Sequence, residues 1–196
     1  MEALLTDPLL VLRTVGLLGL FVIIFAESGL LAGFFLPGDS ILFAAGLLAS
    51  QGLFSIEAII VGTFVAAVLG DAVGYYSGKK WGKKIFNREN TWFFNRSNLE
   101  KAQAFYAVHG KKTIILARFV PIVRTFAPIL AGVGDMNYRT FVYYNIIGAF
   151  TWCLSLPLLG YFLGSKIPHI DAYILPIIAG IVVLSVVPII VSKLRK

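Results

Sequence analysis

Six stretches of this 196-residue chain are apolar over close to the roughly 20 helical residues that cross a bilayer's hydrocarbon core: Leu9 to Ala26, Ser28 to Ser50, Ile56 to Gly78, Thr113 to Gly134, Phe141 to Gly164 and Tyr173 to Val191. In lipid, each backbone N–H and C=O must find its partner inside the protein, which leaves helices as the economical solution for segments of this length. Hydrophobic residues make up 58% of the chain and charged ones 14%, outside the usual shares of a soluble domain. The expected class is therefore an all-α integral membrane protein, with residues 1–196 forming a single membrane domain. Met1 to Arg13 carries Glu2 and Asp7 against one arginine, and no small-residue cleavage site follows, so the N-terminus is expected to be retained. Cys153 is the only cysteine, which excludes an intrachain disulfide and a cysteine-rich metal site. No metal or cofactor is expected.

Charge fixes the orientation. From Lys79 to Lys112 lie nine basic and two acidic residues, which accounts for the whole net charge of +7. By the positive-inside rule this loop, 79–112, faces the cytoplasm, and so does the tail with Lys193, Arg195 and Lys196. Flanked by spans, the loop meets acidic headgroups sooner than nucleic acid, and no nucleic-acid partner is expected. Inside it, Ser97 and Glu100 make a capping-box pattern opening a short helix through about His109, with Trp92, Phe93 and Phe94 just upstream. An interfacial helix and a solvated linker both fit that pattern.

Parity then constrains the topology. If Lys112 and Lys193 are both cytoplasmic, the chain between them crosses an even number of times, yet it holds three apolar segments. One must enter and leave on the same side. The stretch "TIILARFVPIVRTFAPILAGVG" from Thr113, with two arginines and two prolines, is the candidate, as a re-entrant hairpin bending near Pro121 to Pro128. At an offset of 86, Ala45-Gly46 matches Ala131-Gly132, Gly62 matches Gly148, Phe64 matches Phe150, and "GYYSG" at Gly74 matches "GYFLG" at Gly160. Gly78 leads into the cytoplasmic loop, whereas Gly164 would end outside. Those opposite directions imply an inverted-topology repeat (about 27–78 and about 113–164) with two opposed re-entrant hairpins, about four full spans including a last one at 173–191, and both termini inside.

Apart from Arg13 and Glu57 near segment starts, five ionisable residues lie within the apolar segments or at their breaks: Glu27, Asp39, Asp71, Arg118 and Arg124. Each would cost about 2.5–3.5 kcal/mol unpaired at a helix centre, so they must be paired or hydrated. In "FLPGDS", Pro37 and Gly38 stop one arm of a hairpin, and Asp39 is placed to cap a helix over Ser40 to Ser50. Capping and a role in a polar cavity are both open to it. Glu27 is harder to read as a cap; desolvation disfavours its carboxylate, which makes it a proton-coupling candidate, with plain ion pairing as the alternative. Asp71 lies beside a Gly70, Gly74, Gly78 ridge and either serves the cavity or bonds Tyr75 and nearby lysines. Arg118 and Arg124 are six apart, and Pro121 between them breaks the helix so that both can reach one site. A guanidinium fork suits two phosphate oxygens.

Three motifs, "ESGLLAGFFLPGDS" from Glu27, "GDAVGYYSG" from Gly70 and "ARFVPIVRTFAPILAG" from Ala117, resemble those of the DedA family, also called the SNARE-associated Golgi or VTT-domain family. The similarity runs from about Leu17 to Lys166. It implies a small polytopic protein that moves phospholipids or polyprenyl phosphates across the bacterial cytoplasmic membrane, with undecaprenyl phosphate as the leading cargo and the proton gradient as the drive. On that resemblance, Glu27 and Asp39 match an acidic pair linked to proton coupling, and Arg118 and Arg124 match an arginine pair linked to headgroup binding. The expected partners are thus a membrane lipid and protons, and the glycine ridges leave a homo-oligomer open. Two other classes compete: a scaffold or assembly factor, and a lipid phosphatase. The latter is disfavoured because His109 and His169 lie away from the arginine motif and no nucleophile–base arrangement accompanies it. No catalytic residue is expected.

Overall fold

The computed structural model describes residues 8–30, 38–86, 113–118 and 121–166. Among them the chain is entirely helical: α1 (Pro8–Gly29), α2 (Gly38–Ser50), α3 (Ile56–Phe86), α4 (Thr113–Ala117), α5 (Pro121–Val133) and α6 (Tyr138–Lys166). The capping-box segment, most of the basic loop, Pro37 and the expected last span lie outside the described residues.

Among the described residues two helices are long and apolar enough to cross a membrane: 26 residues from Ile56 and 29 from Tyr138, about 39 and 43 Å at 1.5 Å per residue. By contrast α2 and α5, with 13 residues each, reach about 20 Å and cannot cross the hydrocarbon alone. The first apolar stretch is one helix only in outline, because Gly16, at φ 63°, breaks α1 into two pieces. That backbone conformation is open to glycine and costly for residues with a Cβ.

Capping sets where the elements begin and end. The Gly52 N–H bonds the Ala49 carbonyl at 3.0 Å and the Leu53 N–H bonds Leu48 at 3.1 Å, closing α2 with Gly52 at φ 79°. The same pattern closes α5: Asp135 N–H to Gly132 at 3.1 Å and Met136 N–H to Ala131 at 3.0 Å, with Asp135 at φ 53°. Both are Schellman motifs, which satisfy carbonyls a helix end would otherwise orphan. The next helix follows at once in each case. Ser55 Oγ accepts the Ala58 N–H at 3.2 Å to cap α3, and Asn137 Oδ1 accepts the Arg139 N–H at 3.0 Å to cap α6.

The chain packs as two compact units, with α1, α3 and α6 each contributing to both. In the first unit, α2 is buried along Gly38 and Ser40 to Ala49, as expected of a helix apolar all round. It lies against α6 with no space for side chains at two glycines: a Cβ on Gly46 would overlap the Pro157 carbonyl, and one on Gly160 that of Phe43. In the second unit, the Gly70, Gly74, Gly78 ridge of α3 meets two partners. A Cβ on Gly70 would stand 2.6 Å from the Phe25 carbonyl oxygen of α1, one on Gly74 would stand 3.3 Å from Pro128 Cβ of α5, and one on Gly78 would overlap the Ile129 carbonyl. Small residues thus bring backbones together where lipid provides no hydrophobic drive. Tyr75 fastens the unit's end, its hydroxyl donating to the Met136 carbonyl and its ring stacking on Phe141 at 4.8 Å.

Candidate functional site

Four of the five charges picked out by sequence fall in the second unit, and they form two ion pairs. Arg118 Nη2 donates to Asp71 Oδ2, and Arg124 Nη2 donates to Glu27 Oε1. None of the four residues is more than 3% exposed. Removing one member of such a pair leaves an uncompensated charge in low dielectric, which is why both charges of each pair stand or fall together.

The supporting elements differ. Arg118 stands in a turn at the end of α4, where its N–H bonds the Ile115 carbonyl at 3.2 Å. From there it reaches two long helices, because Asn145 Oδ1 of α6 also accepts from Nη2, at 2.6 Å, beside Asp71 of α3. Gly148, one turn beyond Asn145, leaves the space: a Cβ there would lie 2.9 Å from Arg118 Cδ.

Glu27 and Arg124 both sit at the wrong ends of their helices. Glu27 is in the last turn of α1, where the macrodipole disfavours an anion, and Arg124 is in the first turn of α5, where it disfavours a cation. Each placement runs against local helix energetics by about 0.3–1 kcal/mol, so the pair is not there to stabilise either helix.

Trp152 of α6 joins the two pairs. Its indole, 1% exposed, carries Arg124 over its face at 4.3 Å from the centroid and Arg118 at 5.9 Å, both within cation–π range. Neither Asn145 nor Trp152 was picked out by sequence reading. The signal lay in Asn145, Gly148, Ala149 and Trp152, spaced by three, one and three along α6 and all buried.

Other expected positions resolve as follows. Asp39 belongs to the first unit, half-buried in the first turn of α2. The helix starts at Gly38, so Asp39 lies inside the first turn rather than at the cap, still at the end of the helix dipole that favours a carboxylate. The helix break of the arginine segment lies before Pro121 rather than across Pro121 to Pro128. The chain leaves α4 at Arg118, Pro121 opens α5 where its missing N–H costs nothing, and Pro128 lies inside that helix. Asp71 pairs with Arg118, while the Tyr75 hydroxyl is turned to Met136. Among the described residues no group of three His, Cys, Asp or Glu side chains is gathered to hold a metal ion.

Long apolar helices interrupted by short ones, with paired charges buried between them, define an α-helical membrane protein with a polar interior. The VTT domain model matches residues 36–162. Over 178 residues the chain is 48% identical to the protein DedA of Escherichia coli K12, covering 90% of this chain and 81% of that one. It is 41% identical over 179 residues to the membrane protein Rv0364 of Mycobacterium tuberculosis H37Rv, covering 90% and 78%. It is 35% identical over 145 residues to the inner membrane protein YqjA of E. coli K12, covering 74% and 66%. The chain belongs to the VTT-domain, or DedA, family of bacterial membrane proteins. No solved structure matches it.

Proposed function

We propose that this protein is a lipid transporter that moves an anionic phospholipid or polyprenyl phosphate, undecaprenyl phosphate above all, across the cytoplasmic membrane under the proton gradient. The observation that carries the reading is the pair of buried arginine–carboxylate bridges meeting on one indole. A guanidinium bound to a carboxylate can exchange that partner for a phosphate, an oxyanion of similar bite. Protonation of Glu27 weakens its hold on Arg124 and so frees the cation for the headgroup, which links proton entry to lipid capture. Asp39 and Asp71 complete the proton-coupling set. No nucleophile or cofactor enters this scheme, and the protein acts by binding and release rather than catalysis.

The route across is an inverted repeat. Each half consists of a 13-residue helix, a Schellman turn on a positive-φ residue and a capped long helix. In one unit Gly160 lies on Phe43, in the other Gly74 lies beside Ile129, and the two pairs are related by the 86-residue offset. That correspondence supports two opposed re-entrant hairpins within about four full spans, with both termini and loop 79–112 in the cytoplasm.

The test is translocation in proteoliposomes of undecaprenyl phosphate against a zwitterionic phospholipid. The reading predicts selective movement of the phosphate, lost in Arg124→Gln. No movement of either lipid by a folded wild type would turn the assignment toward a scaffold.

A further inference from the structure

Asp71 and Asn145 each use one oxygen to hold Arg118, and each keeps a second polar atom in the interior. Asp71 Oδ1 and Asn145 Nδ2 are buried and have no hydrogen-bond partner among the described residues. One is an acceptor and the other a donor. Leaving such groups unsatisfied costs about 1–3 kcal/mol each, so a ligand that supplies the complementary pair gains that much over one that does not. Both side chains hold the same guanidinium, a group whose geometry suits phosphate oxygens.

We propose that Asp71 and Asn145 are specificity-determining residues that select a phosphate monoester carrying one proton over a phosphate diester of the same charge. The inference rests on the transport reading and names the headgroup chemistry it acts on. A monoester monoanion has a P–OH to donate to Asp71 Oδ1 and unprotonated oxygens to accept from Asn145 Nδ2 and to face Arg118. A diester monoanion has the oxygens but no proton, and its approach sets two acceptors, the ester and the Asp71 carboxylate, against each other. The second proton of a phosphate monoester titrates near pH 6, so the donating form is well populated around that pH.

The pair can be inverted. In Asp71→Asn, the new amide must turn its oxygen to Arg118, and the spare atom becomes a donor. In Asn145→Asp, the spare donor becomes an acceptor. The double variant Asp71→Asn/Asn145→Asp restores one of each and keeps the net charge.

The experiment measures translocation at pH 6.0, with no gradient, of fluorescent phosphatidic acid and of fluorescent phosphatidylmethanol with identical acyl chains. The first is a monoester and the second its diester counterpart. The wild type should favour phosphatidic acid by about tenfold or more, the rate equivalent of one charge-assisted hydrogen bond. Asp71→Asn should reduce that preference to within about twofold, and the double variant should restore it. Equal rates for the two lipids in the wild type would overturn the inference and leave the transport reading standing, whichever variants fold. A preference unchanged in Asp71→Asn, as expected if a buried water satisfies both atoms, would overturn it too. Movement of neither lipid by a folded wild type that also leaves undecaprenyl phosphate unmoved would overturn both readings.

Discussion

The Arg124 guanidinium carbon lies over the Trp152 ring, 4.3 Å from its centroid, while its Nη2 holds Glu27. A desolvated cation–π contact is worth about 2 kcal/mol, and much of it survives on any aromatic face. Trp152→Phe should therefore keep most of the stability, whereas Trp152→Leu, similar in apolar character, should lose roughly 1–2 kcal/mol more. Thermal unfolding in detergent reads the difference; equal losses would mean that the indole only fills space.

The Glu27–Arg124 pair makes a second prediction. Either Glu27→Gln or Arg124→Gln strands a buried charge and should cost about 3–5 kcal/mol, while the double change removes both charges and should cost markedly less than the sum. A double-mutant cycle of denaturation midpoints checks this. Additive losses would mean that the two groups do not depend on one another.

The four site charges were legible from sequence because a charge in an apolar stretch is conspicuous by cost alone. Their pairing was not, since three carboxylates face two arginines and nothing in the spacing says that Asp71 goes to Arg118 and Glu27 to Arg124. That depends on the chain break at Arg118 and on how α1 and α3 meet at Gly70. Asn145 and Trp152 escaped notice because a single amide or indole in a membrane helix is unremarkable until its neighbours on the same face are known. The kink at Gly16 was hidden for a similar reason: glycine is common in membrane helices, and only the backbone distinguishes a packing glycine from a breaking one.

Those two uses of glycine respond differently to alanine. At Gly70 the added Cβ meets the Phe25 carbonyl oxygen at 2.6 Å and Ser28 Cβ at 2.9 Å, both on a packed helix. Gly70→Ala should cost upward of about 2 kcal/mol from overpacking. Gly16 has nothing within 4 Å of that position, but its φ of 63° with ψ of −164° is a conformation open essentially to glycine alone, so Gly16→Ala should cost backbone strain of about 1–3 kcal/mol. Folded yield and thermal midpoint read both, and a Gly70→Ala variant as stable as the wild type would contradict the packing described for α3.

Asp135 is the one described residue other than glycine with positive φ. Asp and Asn tolerate that region and β-branched residues do not. Asp135→Asn should be neutral within about 0.5 kcal/mol, and Asp135→Val should cost roughly 1–3 kcal/mol by straining the turn between α5 and α6. The same stability measurement decides, and a tolerated valine would mean that the Schellman turn does not hold α5 in place.

In the proposed transport, Arg124 binds the lipid phosphate and Glu27 makes its release depend on protons. This coupling is tested most directly by following undecaprenyl-phosphate translocation in proteoliposomes under opposite imposed pH gradients, in the wild type and in Glu27→Gln. Wild-type movement should change with the sign of the gradient, and Glu27→Gln movement should not. Gradient-sensitive movement surviving in Glu27→Gln would contradict the coupling, and the bridge to Arg124 would then be a structural fastening alone.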